Sequence, residues 1–138
     1  MPMTMTHDTE IDYVLLFHMT APLTWEEYHA KIDEALRYVE TQDDVVFDAI
    51  VVNEVGIPGK DLIRQANRLQ RVGEHPQAGM LVTVTTRRHL YYLSAFVDRV
   101  ARTVFNRELP VVTSVEEARQ IIQSQRAELS DSNESRAR

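Results

Sequence analysis

Three groups of residues in this chain have types and spacings that could do chemistry. The first is Gly56-Ile57-Pro58-Gly59-Lys60, a turn between an apolar run and a helical pattern, where a phosphate-binding loop would sit. That loop needs a glycine five positions before Gly59 and a hydroxyl after the lysine, but Glu54 and Asp61 stand there, and a carboxylate would oppose the phosphate. Asp61 in a first helical turn is accounted for by the helix dipole alone. The second group is Glu26, His29 and Asp33, which steps of three and four place on one flank of a helix. Metal binding or proton transfer would use such a flank, and so would a solvated border beside an apolar face, the commoner setting for a single histidine. The other histidines, His7, His18, His75 and His89, have no metal-ligand spacing.

The third group lies on one helical pattern. Arg88, Tyr92, Phe96 and Arg99 recur at spacings of four, four and three, so two aromatic rings and two guanidinium groups share a face distinct from the apolar stripe beside it. That is the composition of an interface centre. It is equally the pattern of a helix whose Phe96 packs under a later helix and whose Tyr92 shields a sheet edge.

Several chemistries are excluded. With no cysteine there is no thiol nucleophile and no Cys-based zinc site. No Gly-x-Ser-x-Gly element occurs. A phosphoacceptor receiver domain would need an acidic pair after its first strand and a lysine after its last, where His18-Met19 and Thr113-Ser114 stand. No enzymatic activity, cofactor or metal is therefore expected. Net charge −6 argues against a nucleic-acid partner, which calls for a basic surface.

The elements that must position these residues read as follows. At 138 residues the chain suits a single core, expected over 1–129. Residues 130–138, Ser-Asp-Ser-Asn-Glu-Ser-Arg-Ala-Arg, offer no large hydrophobe and are expected to form a disordered tail. The start lacks the basic and apolar regions of an export signal, and the longest apolar run is strand-sized, so a cytoplasmic protein without a membrane span is expected. Ile11 to His18 reads as a strand. Thr24 and Glu27 form a capping box ahead of a helix whose apolar face is Trp25, Tyr28, Ile32, Ala35, Leu36 and Val39. Val45 to Val52 is a nearly continuous apolar run, suited to a central parallel strand covered on both faces.

Leu62, Ile63, Ala66, Leu69 and Val72 predict a second helix, and Met80 to Thr86 a further strand. Leu90, Leu93, Val97, Val100, Ala101 and Val104 predict a third helix with that set as its core stripe. Val111-Val112 is a short last strand, followed by the capping signature Ser114-Val115-Glu116-Glu117 and a fourth helix. Met3 to Thr9 can add a hairpin strand. The alternation predicts an α/β fold with a mostly parallel sheet of four or five strands and four helices in βα repeats.

The helix opening Thr24-Trp25-Glu26-Glu27-Tyr28-His29-Ala30, the strand 45–52 leading into Gly56-Ile57-Pro58-Gly59, and the closing Ser114-Val115-Glu116-Glu117-Ala118-Arg119 resemble the STAS, or SpoIIAA-like, domains, in an uncharacterised bacterial branch. The similarity spans about residues 10 to 128. It implies a small non-enzymatic module that binds protein partners. In the anti-sigma-factor antagonists of that family a serine or threonine at the start of the second helix is phosphorylated. Here the corresponding turn, with Gly56, Pro58, Gly59 and Asp61, has no hydroxyl, and no Ser, Thr or Tyr occurs from Gln42 through Val82. The turn remains a candidate ligand or switch loop, but not a phosphorylated one.

Charge is unevenly spread. Residues 1–60 hold three Lys or Arg against twelve Asp or Glu, whereas residues 61–107 hold eight against three. Such asymmetry can steer association, including homodimer formation, or merely reflect solvated helix faces. The expectation is a protein-interaction module using Arg88, Tyr92, Phe96 and Arg99. The alternative is a small apolar ligand or lipid held between sheet and helices, as in Sec14-like carriers, in a pocket lined by residues such as Trp25, Tyr28 and Tyr91.

Overall fold

The computed structural model describes residues 3–21, 24–55, 71–72, 74–105 and 108–137. Five strands, β1 (Met3–His7), β2 (Val14–Met19), β3 (Phe47–Asn53), β4 (Ala78–Val84) and β5 (Val111–Val112), form one sheet in the order in which they occur in the chain. β1 is antiparallel to β2, and the other neighbours are parallel. The described helices are α1 (Trp25–Glu40), α2 (Arg88–Phe105) and α3 (Val115–Ala137). This is an α/β fold with a mostly parallel sheet, and the hairpin strand at the start is present. Of the helix expected from Leu62 to Val72, Arg71 and Val72 are helical and the rest lies outside the described residues.

Strands that follow one another across a sheet through right-handed crossovers place their linking helices on one face, which leaves the other for the terminal helix. The core divides accordingly. On one face Tyr28, Ile32, Ala35 and Val39 of α1 pack against Met3, Leu15, Phe17, Met19, Phe47 and Val51. On the other, Ala118 and Ile122 of α3 pack with Ile11, Val14, Ile50, Val82, Val84 and Val112. β3 therefore sends Phe47 and Val51 one way and Ile50 the other, and Ile50 is fully buried, as the run 45–52 predicts.

Local chemistry explains the boundaries. The Glu27 amide donates to Thr24 Oγ1 at 3.2 Å and the Thr24 amide to Glu27 Oε1 at 3.0 Å, which completes the capping box and starts α1 at Trp25. At the start of α3 half of that device forms: the Glu117 amide donates to Ser114 Oγ, but the Glu117 carboxylate accepts from the Thr113 hydroxyl instead. β2 begins at Val14 rather than Ile11, because Asp8 draws the Glu10 and Ile11 amides into a turn and Tyr13 takes a φ of 60°. Asp43 and Asp44, both at positive φ, form the loop that ends α1, a conformation Asp tolerates well. The α3 backbone is helical through Ala137, across the stretch from Ser130 whose composition suggests a disordered tail.

Candidate functional site

α2 is set by Leu90 and Ala101, which are buried, and by contact with β5. The core stripe of this helix differs from the one its periodicity predicts. Leu93 and Val100, placed by periodicity in the core, are each 39% exposed, and the buried line runs through Leu90 and Ala101 with Val97 partly covered. Positions 90, 97 and 101 fall close together at 3.6 residues per turn, whereas 93 and 100 fall on the side shared with 92 and 96. The apolar arc is thus wider than what β5 covers, and its outer half faces solvent.

On that outer half Tyr92 is 61% and Phe96 58% exposed. Phe96 does not pack under the last helix. The Tyr91 and Tyr92 rings meet edge to face with centroids 6.0 Å apart. Arg88 and Arg99 are exposed beside the rings. The structure therefore brings Arg88, Tyr92, Phe96 and Arg99 together on one surface, and adds Leu93 and Val100, which sequence reasoning assigned to the interior. The missed signal is the width of the apolar arc on this helix, more than one sheet contact needs.

The other candidates fare differently. Gly56, Pro58, Gly59 and Asp61 lie outside the described residues. At the strand end just before them both oxygens of Glu54 are engaged, accepting from the Thr86 amide at 2.9 Å and the Thr86 hydroxyl at 2.8 Å. His29 is buried rather than on a solvated border. Its ring stacks on Trp25 and meets Tyr28 edge to face, while Glu26 and Asp33 are exposed. Among the described residues no group of three or more His, Asp or Glu is placed to hold a metal ion.

Trp25 and Tyr28, named above for a ligand pocket, pack on each other. Tyr28 is buried in the core cluster, burial pushes its hydroxyl up to about 12, and Trp25 packs edge to face on it. Tyr91 sits on α2, away from this cluster's contacts. One cleft among the described residues lies elsewhere. It is open, about 430 Å³, and is lined by Met80, Val112 and Ile121 together with Glu108, Glu117 and Glu128. An open cleft with three carboxylates on its wall is not a lipid cavity.

Two part-buried ion pairs were not foreseen. Arg119 of α3 donates to Asp8 through Nε at 3.1 Å and Nη2 at 2.7 Å, and Arg126, two turns on, donates from Nε to Asp48 Oδ2 at 2.8 Å. They fasten α3 to the sheet. Burial alone would raise the Asp8 carboxyl, but the Arg119 hydrogen bonds, the Ile11 and Glu10 amides and the guanidinium charge together outweigh it and hold it below the usual carboxylate value.

Compared with protein-family models, with curated proteins and with solved structures, the chain matches none. No helix among the described residues is long and apolar enough to cross a membrane.

Proposed function

We propose that this chain is a non-enzymatic, cytoplasmic interaction module of STAS-like type, and that it meets its protein partner with the outer face of α2. The single observation that carries the reading is the exposure of Tyr92 and Phe96 beside Leu93 and Val100 on one helix. Aromatic side chains are costly to leave in water, and a cluster of them with arginines at its border is the usual make-up of the energetic centre of an interface. Scattered single apolar residues need no such explanation, but four on adjoining turns do. Specificity then comes from Arg88 and Arg99 and affinity from the rings. The ion pairs of Arg119 and Arg126 hold α3 on the opposite face of the sheet, away from the exposed face of α2.

The test is a double variant, Arg88→Glu with Phe96→Ala, set against the unaltered chain in light scattering and affinity capture. The proposal expects the complex captured by the unaltered chain, or its larger mass, to be lost in the variant. Unchanged mass together with unchanged partners would remove α2 as the docking surface.

A further inference from the structure

The apolar strip on α2 has a charged border on one side only. Projected at 3.6 residues per turn, Tyr92, Phe96, Val100 and Leu93 occupy one arc, shared at its two ends along the axis by the exposed His89 and Thr103. Arg88, Arg99 and Arg102, all exposed, follow it on one flank, and Leu93 and Val97 lead back to the sheet on the other. Arg102 is held by Asp98 at 3.1 Å, and Asp98 also accepts from the Leu109 amide, so that carboxylate is engaged. No carboxylate among the described residues lies in ion-pair range of Arg88 or Arg99.

Among the described residues, a second copy offers no face that fits this border. Two-fold pairing of antiparallel helices sets like flank against like flank, which brings the arginines of one copy against those of the other. Two-fold pairing of parallel helices sets the arginines against the uncharged Leu93–Val97 flank. Neither supplies a carboxylate. Contact with a different face of a second copy does no better, because the other exposed large apolar residues among those described are Tyr13, Val46 and Leu129, and none of them forms such a strip on an acidic helix. α1 is acidic outside, with Glu26, Glu27, Asp33 and Glu34 exposed, but its apolar residues are turned to the sheet.

From this charge pattern we infer that the partner of α2 is an amphipathic helix of another protein, whose apolar seam is bordered by Asp or Glu on the side that meets Arg88 and Arg99. The inference rests on the docking role proposed above and names the chemistry of the occupant. A helix suits the strip, which runs along the α2 axis rather than around it and offers ridges for side chains at three- and four-residue spacing. Carboxylates on the partner set its direction along α2, because only one orientation places them over the arginines.

Two labelled helical peptides test it, both with leucines at three- and four-residue spacing, one with glutamates and the other with lysines along one flank. Their affinity for the full chain is read by fluorescence anisotropy at low and high salt. The glutamate peptide should bind at least about ten-fold more tightly, as a few charge pairs at an interface rim provide, with the advantage shrinking in salt. Arg88→Glu with Arg99→Glu should reverse the preference, and Phe96→Ala should weaken both peptides. Equal binding of the two, with Phe96→Ala still weakening both, would overturn the acidic partner and leave the docking face standing. Binding of neither, or binding indifferent to Phe96→Ala, would overturn both. A dimer in sedimentation that Phe96→Glu dissociates would make the occupant a second copy and overturn the inference.

Discussion

Arg126, in the last helix, reaches back 78 residues to Asp48 in the central strand, Nε to Oδ2 at 2.8 Å, while its other two nitrogens donate to the carbonyls of Asp12 and Tyr13. One guanidinium thus ties α3, β3 and the turn that leads into β2. Asp48 is buried and also accepts from the Met80 amide at 2.7 Å, so it joins β4 to the same knot. Tyr13, held at positive φ, gives its carbonyl both to Arg126 and to the Asp48 amide at 3.0 Å, which offsets the cost of that backbone conformation.

Removing one member of a buried ionic pair leaves the other uncompensated. Arg126→Ala should lower unfolding free energy by about 2 kcal/mol, less than a fully buried pair because the guanidinium is partly solvated. Urea denaturation of the two single variants and of Arg126→Ala with Asp48→Ala checks it. The double variant should cost less than the sum of the singles.

Gly79 is where Asp48 sits. A Cβ built at this glycine would fall onto Asp48 Oδ1, well inside contact distance, and 3.1 Å from the Phe47 carbonyl oxygen. Asp48 cannot retreat without giving up the Met80 amide or Arg126. Gly79→Ala is expected to destabilise by about 1–3 kcal/mol, the usual cost of forcing volume into a packed site. Asp48→Ala in the same chain should relieve most of that increment, and a chemical denaturation cycle would show whether it does.

Asp8 makes stability depend on acid. Its carboxyl is held below the usual value in the folded chain and would titrate near 3.9 when unfolded, so the unfolded chain takes up a proton first as pH falls. The stabilisation is complete above roughly pH 5 and fades as pH drops through the folded value. Asp8→Asn should therefore be less stable than the unaltered chain by a constant amount near neutrality, with the gap closing below about pH 4. Thermal melts from pH 7 to pH 3 measure it, and a gap that widened in acid would show that Asp8 is not the group responsible.

Much of the architecture is legible in residue spacing because burial imposes periodicity. Thr24 and Glu27 mark the start of α1, and the unbroken run at 45–52 marks a strand covered on both faces. Spacing is blind to what lies opposite. Leu93 and Val100 have the period of a core stripe, and nothing in that spacing shows that they are left 39% exposed. Asp48 within an apolar run and Arg126 on a helix flank carry no local sign of each other, since the contact spans most of the chain. His29 reads as a border residue until the ring of Trp25 is found stacked upon it.

Side chains that stay largely exposed in the free chain, as Tyr92 and Phe96 do, can be removed at little cost to folding. Tyr92→Ser with Phe96→Ser should leave the unfolding midpoint within about 2 °C of the unaltered chain, or raise it slightly, while abolishing association through α2.

That pairing of stability with binding, measured on the one double variant by calorimetry and by anisotropy against the glutamate-flanked peptide, tests the central claim most directly. A docking face requires an unchanged midpoint and lost binding. A fall of about 10 °C or more, as truncating buried aromatic rings produces, would mean that the two rings belong to the interior and that α2 offers no surface to a partner.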